Sequence, residues 1–93
     1  MSLTLRVATR FQRDMQRMVR RRNDLTKLQH VIEILVAQQP LPSRYHDHAL
    51  TGSLHTMRDL HVEPDWLVIY RIDHDRRELI LLRTGTHADL FKE

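Results

Sequence analysis

Six of the seven residues in Trp66-Leu67-Val68-Ile69-Tyr70-Arg71-Ile72 are apolar. A segment with so little alternation is expected of a central strand covered on both faces. Its neighbours fit that position. Met57 to Val62 alternates moderately, and Glu63-Pro64-Asp65 forms a turn into the apolar run. Asp73-His74-Asp75-Arg76 makes a second turn, and Glu78 to Arg83 is the last strand. These three strands read as an antiparallel meander.

Upstream of this run the apolar period becomes helical. Phe11, Met15, Met18 and Val19 recur at helical spacing, with Arg13, Arg17, Arg20 and Arg21 on the opposite face. Thr9-Arg10-Phe11-Gln12 has the form of a capping box opening that helix. Asn23 or Asp24 caps a second helix, whose stripe is Leu25, Leu28, Val31, Ile32, Leu35 and Val36. Pro40 and Pro42 stop it. Leu3 to Val7 alternates as a short N-terminal strand, and residues 40–53 read as a loop. The expected fold is α+β, a single domain over residues 1–93. A short strand precedes a two-helix hairpin, which packs on one face of the three-stranded meander.

The chain has 93 residues and no cysteine, so disulfides and thiolate metal sites are excluded. The N-terminus lacks a signal h-region, and no apolar run approaches the roughly 20 residues that span a membrane. The expectation is a cytoplasmic protein with no membrane partner.

Charge is unevenly placed. Residues 1–44 hold nine Lys/Arg and three Asp/Glu (+6), whereas residues 45–93 hold six and nine (−3). A basic first half points to a polyanion, most plausibly nucleic acid, with a solvated helix face as the plainer explanation. Histidine is the sharper anomaly, because six of the seven lie beyond residue 45.

Three polar clusters could carry chemistry: Asp47-His48, His61 to Trp66, and Arg83 to His87 with Phe91 beyond. In a meander, the end of the 57–62 strand, the start of the 66–72 strand and the end of the 78–83 strand share one end of the sheet. The second and third clusters should therefore converge, and the loop carrying His48 can fold over them. Histidines that give and take protons near neutral pH, beside a charge-stabilising arginine, suit RNA cleavage by internal transphosphorylation. That route needs no metal. A rival metal set, His46-x-His48 with Asp65 or His61, lacks the helical His-Glu-x-x-His spacing and any thiolate. Trp66 heads an apolar strand, so it fits the core better than a stacking platform. His30, His46, His55 and His74 read as surface residues.

Three strings carry a family resemblance: Asp47-His48-x-Leu50-x-Gly52-Ser53, Arg58-Asp59-x-His61-Val62-Glu63-Pro64-Asp65-Trp66-x-x-Ile69-Tyr70, and Arg83-Thr84-Gly85-Thr86-His87-Ala88-x-Leu90-Phe91. They resemble the YafQ-type branch of the RelE-like toxins, the toxin halves of bacterial type II toxin–antitoxin systems. The resemblance covers residues 44–91 by motif and the rest by element order. It implies a ribosome-dependent endoribonuclease that cuts mRNA in the A site and is neutralised by a cognate antitoxin. Operator DNA is met only through the antitoxin complex, and no cofactor or metal is used. It further implies His48 as a candidate general base, His61 and Asp65 contacting and positioning the RNA backbone, and Arg83 as the phosphate-stabilising group. His87 becomes a candidate general acid, while Trp66 and Phe91 are aromatics shaping the site. The arginines Arg13, Arg17, Arg20 and Arg21 are then candidates for ribosomal RNA contact. The other function weighed is a catalytically weak toxin-fold protein acting mainly as antitoxin partner and co-repressor.

Overall fold

The computed structural model describes residues 2–52 and 56–91. Its elements in chain order are β1 (Thr4–Val7), α1 (Thr9–Arg20), α2 (Leu25–Val36), a 3₁₀ turn (Ser43–Tyr45), β2 (His48–Ala49), β3 (Arg58–Glu63), β4 (Trp66–Asp73), β5 (Glu78–Gly85) and α3 (His87–Phe91). The sheet order is β1-β5-β4-β3-β2, which puts the apolar run at the centre.

The expected α+β arrangement is present, with two refinements. β1 is not a separate strand. It pairs parallel to β5, from Thr4 opposite Glu78 to Val7 opposite Leu81, so the sheet is five-stranded and mixed. β2 lies inside the segment expected to be loop, pairing His48 with Asp59 and Ala49 with Arg58. Two residues are too few to show a period of two.

Strand alternation sorts the sheet into two faces. Leu60 and Val62, then Trp66, Val68 and Tyr70, then Leu79 and Leu81 join Phe11, Met18, Leu28, Val31 and Leu35 in one hydrophobic cluster. Each fully buried leucine here contributes roughly 1.5–3 kcal/mol of transfer free energy. Leu67 and Ile69 have the opposite parity and are buried as well, so β4 is covered on both sides.

The two long helices start in different ways. The expected capping box at Thr9 does not form: the N-cap is Ala8, which offers no side-chain acceptor. The start of α1 is set instead by the Ala8 N–H, which donates to the Leu81 carbonyl at 2.9 Å and extends the β1–β5 ladder. Asp24 caps α2 as expected, accepting from the Thr26 N–H at 3.0 Å. Among the described residues, no helix is long and apolar enough to cross a membrane.

Candidate active site

The β3–β4 hairpin closes over Pro64 and Asp65, with Glu63 paired to Trp66. His61 pairs with Leu67, and Leu67 pairs on its other side with Gly85. The His61–Asp65 and Arg83–His87 segments therefore meet at one end of the sheet, as the meander required.

The loop carrying His48 is anchored by Asp47. This carboxylate accepts from Arg58 at 2.9 Å and from the Tyr70 hydroxyl. Burial, and then the bond to Asp47, push the Tyr70 phenol well above its usual range, so it remains a donor. Next to this anchor His46 adopts a left-handed backbone (φ 50°). Its carbonyl faces His48 Nδ1 at 2.7 Å. A carbonyl can only accept, so Nδ1 carries the proton and the neutral His48 ring keeps its lone pair on Nε2.

His61 is the hub of a chain of rings. Its centroid lies 5.7 Å from that of His46, 6.5 Å from His48 and 5.6 Å from His87. Two strand positions before His61, and so on the same face, is Asp59, only 5% exposed. Its Oδ2 is 3.7 Å from His48 Nε2, and its Oδ1 has no hydrogen-bond partner among the described residues. Desolvation raises the Asp59 carboxyl, while His48, His61 and His87 oppose that shift.

His87 opens α3. Asp65 Oδ1 accepts its backbone N–H at 2.9 Å and lies 2.6 Å from its Nδ1. These two bonds hold the Asp65 carboxyl below the usual carboxylate range, so Asp65 is ionised wherever the ring is charged or neutral near pH 7. Phe91, one turn further, is 41% exposed and its ring centroid is 6.5 Å from that of His87.

Arg83 sits in a different setting. Its Nε donates to Asp14 Oδ2 at 2.7 Å and a terminal nitrogen donates to Asp14 Oδ1 at 3.2 Å. Asp14 is 4% exposed, and it also accepts from the Thr84 N–H and from Arg17. Arg83 is therefore braced by α1, with part of its guanidinium already used.

The start of α3 is fixed from the same side. Asp89 accepts from the Thr86 N–H at 2.9 Å while the Thr86 hydroxyl accepts from the Asp89 N–H, a reciprocal capping box. Arg21 grips the same carboxylate with two bonds, at 2.6 and 3.1 Å. A Cβ on Gly85 would stand 2.9 Å from Asp89 Cβ and Oδ2, at a φ of +154°, so only glycine fits this close approach.

Several expectations need adjusting. Trp66 is 1% exposed, and its Nε1 donates to Thr84 Oγ1 at 2.9 Å. It supports the site from within the core and offers no face to RNA. The basic face of α1 is divided: Arg17 and Arg21 are paired with Asp14 and Asp89, leaving Arg13 and Arg20 exposed without an acidic partner among the described residues. His46, read as an ordinary surface residue, belongs to the ring chain. His55 lies outside the described residues. Asp14, Asp59 and Asp89 were missed, although Asp59 carried a signal in its i, i+2 relation to His61. Among the described residues, no group of three His, Asp or Glu side chains is placed to hold a metal ion.

The model of a bacterial toxin family, the YafQ toxins of type II toxin–antitoxin systems, matches residues 3–92. The chain belongs to the YafQ toxin family. It is 42% identical over 82 residues to the mRNA interferase toxin YafQ of Escherichia coli K12, covering 87% of each chain. The crystal structure of the E. coli DinJ–YafQ toxin–antitoxin complex contains a chain that superposes with a TM-score of 0.89 at 37% identity, covering 98% of this chain and 99% of that one. A metal-bound toxin from Helicobacter pylori superposes with a TM-score of 0.91 at 37% identity, covering 96% and 99%. The α+β fold with a helical hairpin over a mixed sheet is thus the fold of this family.

Proposed function

We propose that residues 1–93 form a single toxin domain that cuts mRNA on the ribosome by acid–base transphosphorylation. The observation that carries this reading is the row of rings His48, His61 and His87, with a carboxylate seated behind His87. His48 Nε2, bare in the neutral ring, takes the proton of the 2′-hydroxyl. The 2′-oxygen then bonds to phosphorus as the bond to the 5′-oxygen breaks, and that oxygen receives a proton from His87. An imidazolium at His87 is neutralised by ionised Asp65, and one at His48 faces Asp59. Charge growing on the phosphoryl oxygens meets His61 and the remaining donors of Arg83. The products are a 2′,3′-cyclic phosphate and a 5′-hydroxyl, and every transferred proton has a named protein group. Phe91 offers an exposed ring for stacking on a base.

Arg13 and Arg20, exposed and unpaired by acid, support contact with ribosomal RNA. Because the E. coli relative is solved with DinJ, the same reading gives this chain a cognate antitoxin, reaching operator DNA only through that complex, in the cytoplasm.

The test is to supply a defined mRNA with and without programmed ribosomes and map new 3′ ends. New ends only with ribosomes support the reading. Equal cleavage of naked RNA contradicts ribosome dependence, and normal cleavage by both His48→Ala and His87→Ala contradicts the site assignment.

A further inference from the structure

A groove of about 1050 Å³ runs from the ring chain toward the first turns of α2. It shares His48 and His61 with the candidate site as one wall. Its other walls carry Lys27, His30, Arg44, Tyr45, His46 and Glu63. The acid–base mechanism uses only that shared wall and leaves the rest of the groove without a role. Resting on the RNase reading, we propose that this groove is a second RNA subsite, binding the nucleotide and phosphate that flank the scissile bond on the side away from Phe91.

Charge supports the assignment. Glu63, the one carboxylate lining the groove among the described residues, lies 2.8 Å from Lys27 Nζ and is neutralised there. Arg44 has no carboxylate within ion-pair distance among the described residues. Its guanidinium carbon stands 4.8 Å from the Tyr45 ring centroid, and a terminal nitrogen donates to the Tyr45 hydroxyl at 3.0 Å. A planar cation held in this way is pre-organised for a phosphate. By contrast, Arg17, Arg21 and Arg83 are all committed to Asp14 or Asp89.

Continuity supports it as well. The ring chain leaves His61 in two directions, through His87 to Phe91 and through His46 into the groove. A single strand whose scissile phosphate sits at His61 has an aromatic platform on one side and a basic groove on the other. This pairing of ring stacking with backbone cations is how proteins track single strands. The volume lies just above the roughly 300–1,000 Å³ that takes a drug-sized ligand, which leaves room for a nucleotide. An antitoxin peptide is the rival occupant, and its binding is one of the outcomes of the test.

The experiment is fluorescence anisotropy of the full chain with a labelled hexaribonucleotide, 2′-O-methylated throughout so that it cannot be cut. Wild type should bind saturably. Arg44→Ala should weaken binding about tenfold and lower the salt slope by about 0.7, the loss of one phosphate contact on a single strand. Arg76→Ala, in the β4–β5 turn, should change neither. Equal losses in both variants, no loss with Arg44→Ala, or no saturable binding by wild type would overturn the subsite. So would weaker antitoxin binding by Arg44→Ala with oligonucleotide binding intact. The assay needs no cleavage, so its outcome is separate from the ribosome test. Localised binding without mRNA cleavage removes the enzymatic reading alone, and cleavage by wild type with unaffected Arg44→Ala removes the subsite alone.

Discussion

One oxygen of Asp65 holds both the backbone N–H and the Nδ1 of His87, at 2.9 and 2.6 Å. The same contact therefore sets the place of the helix start and the orientation of its imidazole. Asp65→Asn keeps an acceptor for the backbone but removes the negative charge facing the ring. Cleavage of ribosome-bound mRNA should fall about 10²-fold, the scale of losing efficient acid–base catalysis. The melting temperature should change little, because Asp65 is exposed. Single-turnover cleavage and a thermal melt on the same preparation check the pair of outcomes.

Asp59 is expected to cost stability and support activity. Burial raises its carboxyl, so the folded state favours the protonated form. The sign follows: its advantage to folding is present at low pH and is lost as pH rises through the raised pKa. At pH 7 Asp59→Asn should therefore match or exceed wild type in urea midpoint, while cleavage falls because an imidazolium at His48 loses its counter-charge. A variant that is both less stable and fully active would contradict this.

Gly85→Ala should destabilise the fold by about 1–3 kcal/mol through strain at a special backbone position. The new Cβ meets Asp89, which also caps α3. For a domain of this size each kcal/mol lowers the melting temperature by roughly 4–8 °C. Activity measured well below the melting transition should fall too, since α3 carries His87.

Acid stability should depend on Asp89. Arg21, and then Thr86, hold its carboxyl far below the usual range. A depressed carboxylate contributes stability that is present above the unfolded value near 4 and lost as pH falls through the folded one. Urea midpoints measured between pH 7 and pH 2 should therefore drop steeply for wild type below about pH 4. Asp89→Asn should start about 1–2 kcal/mol lower, with the charged pair to Arg21 gone while the amide oxygen still accepts from the Thr86 N–H, and show a shallower acid limb.

How much of this was legible in the sequence varied with the range of the interaction. The apolar run at 66–72 gave the central strand and its flanking turns, and meander geometry gave the meeting of His61–Asp65 with Arg83–His87. Local pattern could also place Trp66 in the core. The parallel pairing of β1 with β5 was not readable, because no local period encodes a partner more than 70 positions away. Asp14 stands between Arg13 and Arg17 with no local pattern to mark it. It acquires meaning only when Arg83 and Thr84, about 70 residues later, are brought against it. His46 was set aside because its role depends on a left-handed turn that directs its carbonyl to His48. In each case the missing information was tertiary.

The central claim is internal transphosphorylation by the histidine row, and the ends of the cut RNA test it most directly. The wild-type chain is incubated with a ribosome-bound mRNA, and the resulting fragments are analysed by mass spectrometry. A second message carries a single 2′-deoxynucleotide at the cut position. The mechanism predicts a 2′,3′-cyclic phosphate on the upstream fragment, a 5′-hydroxyl on the downstream one, and no cleavage of the deoxy message. A 5′-phosphate, or normal cleavage of the deoxy message, would contradict it.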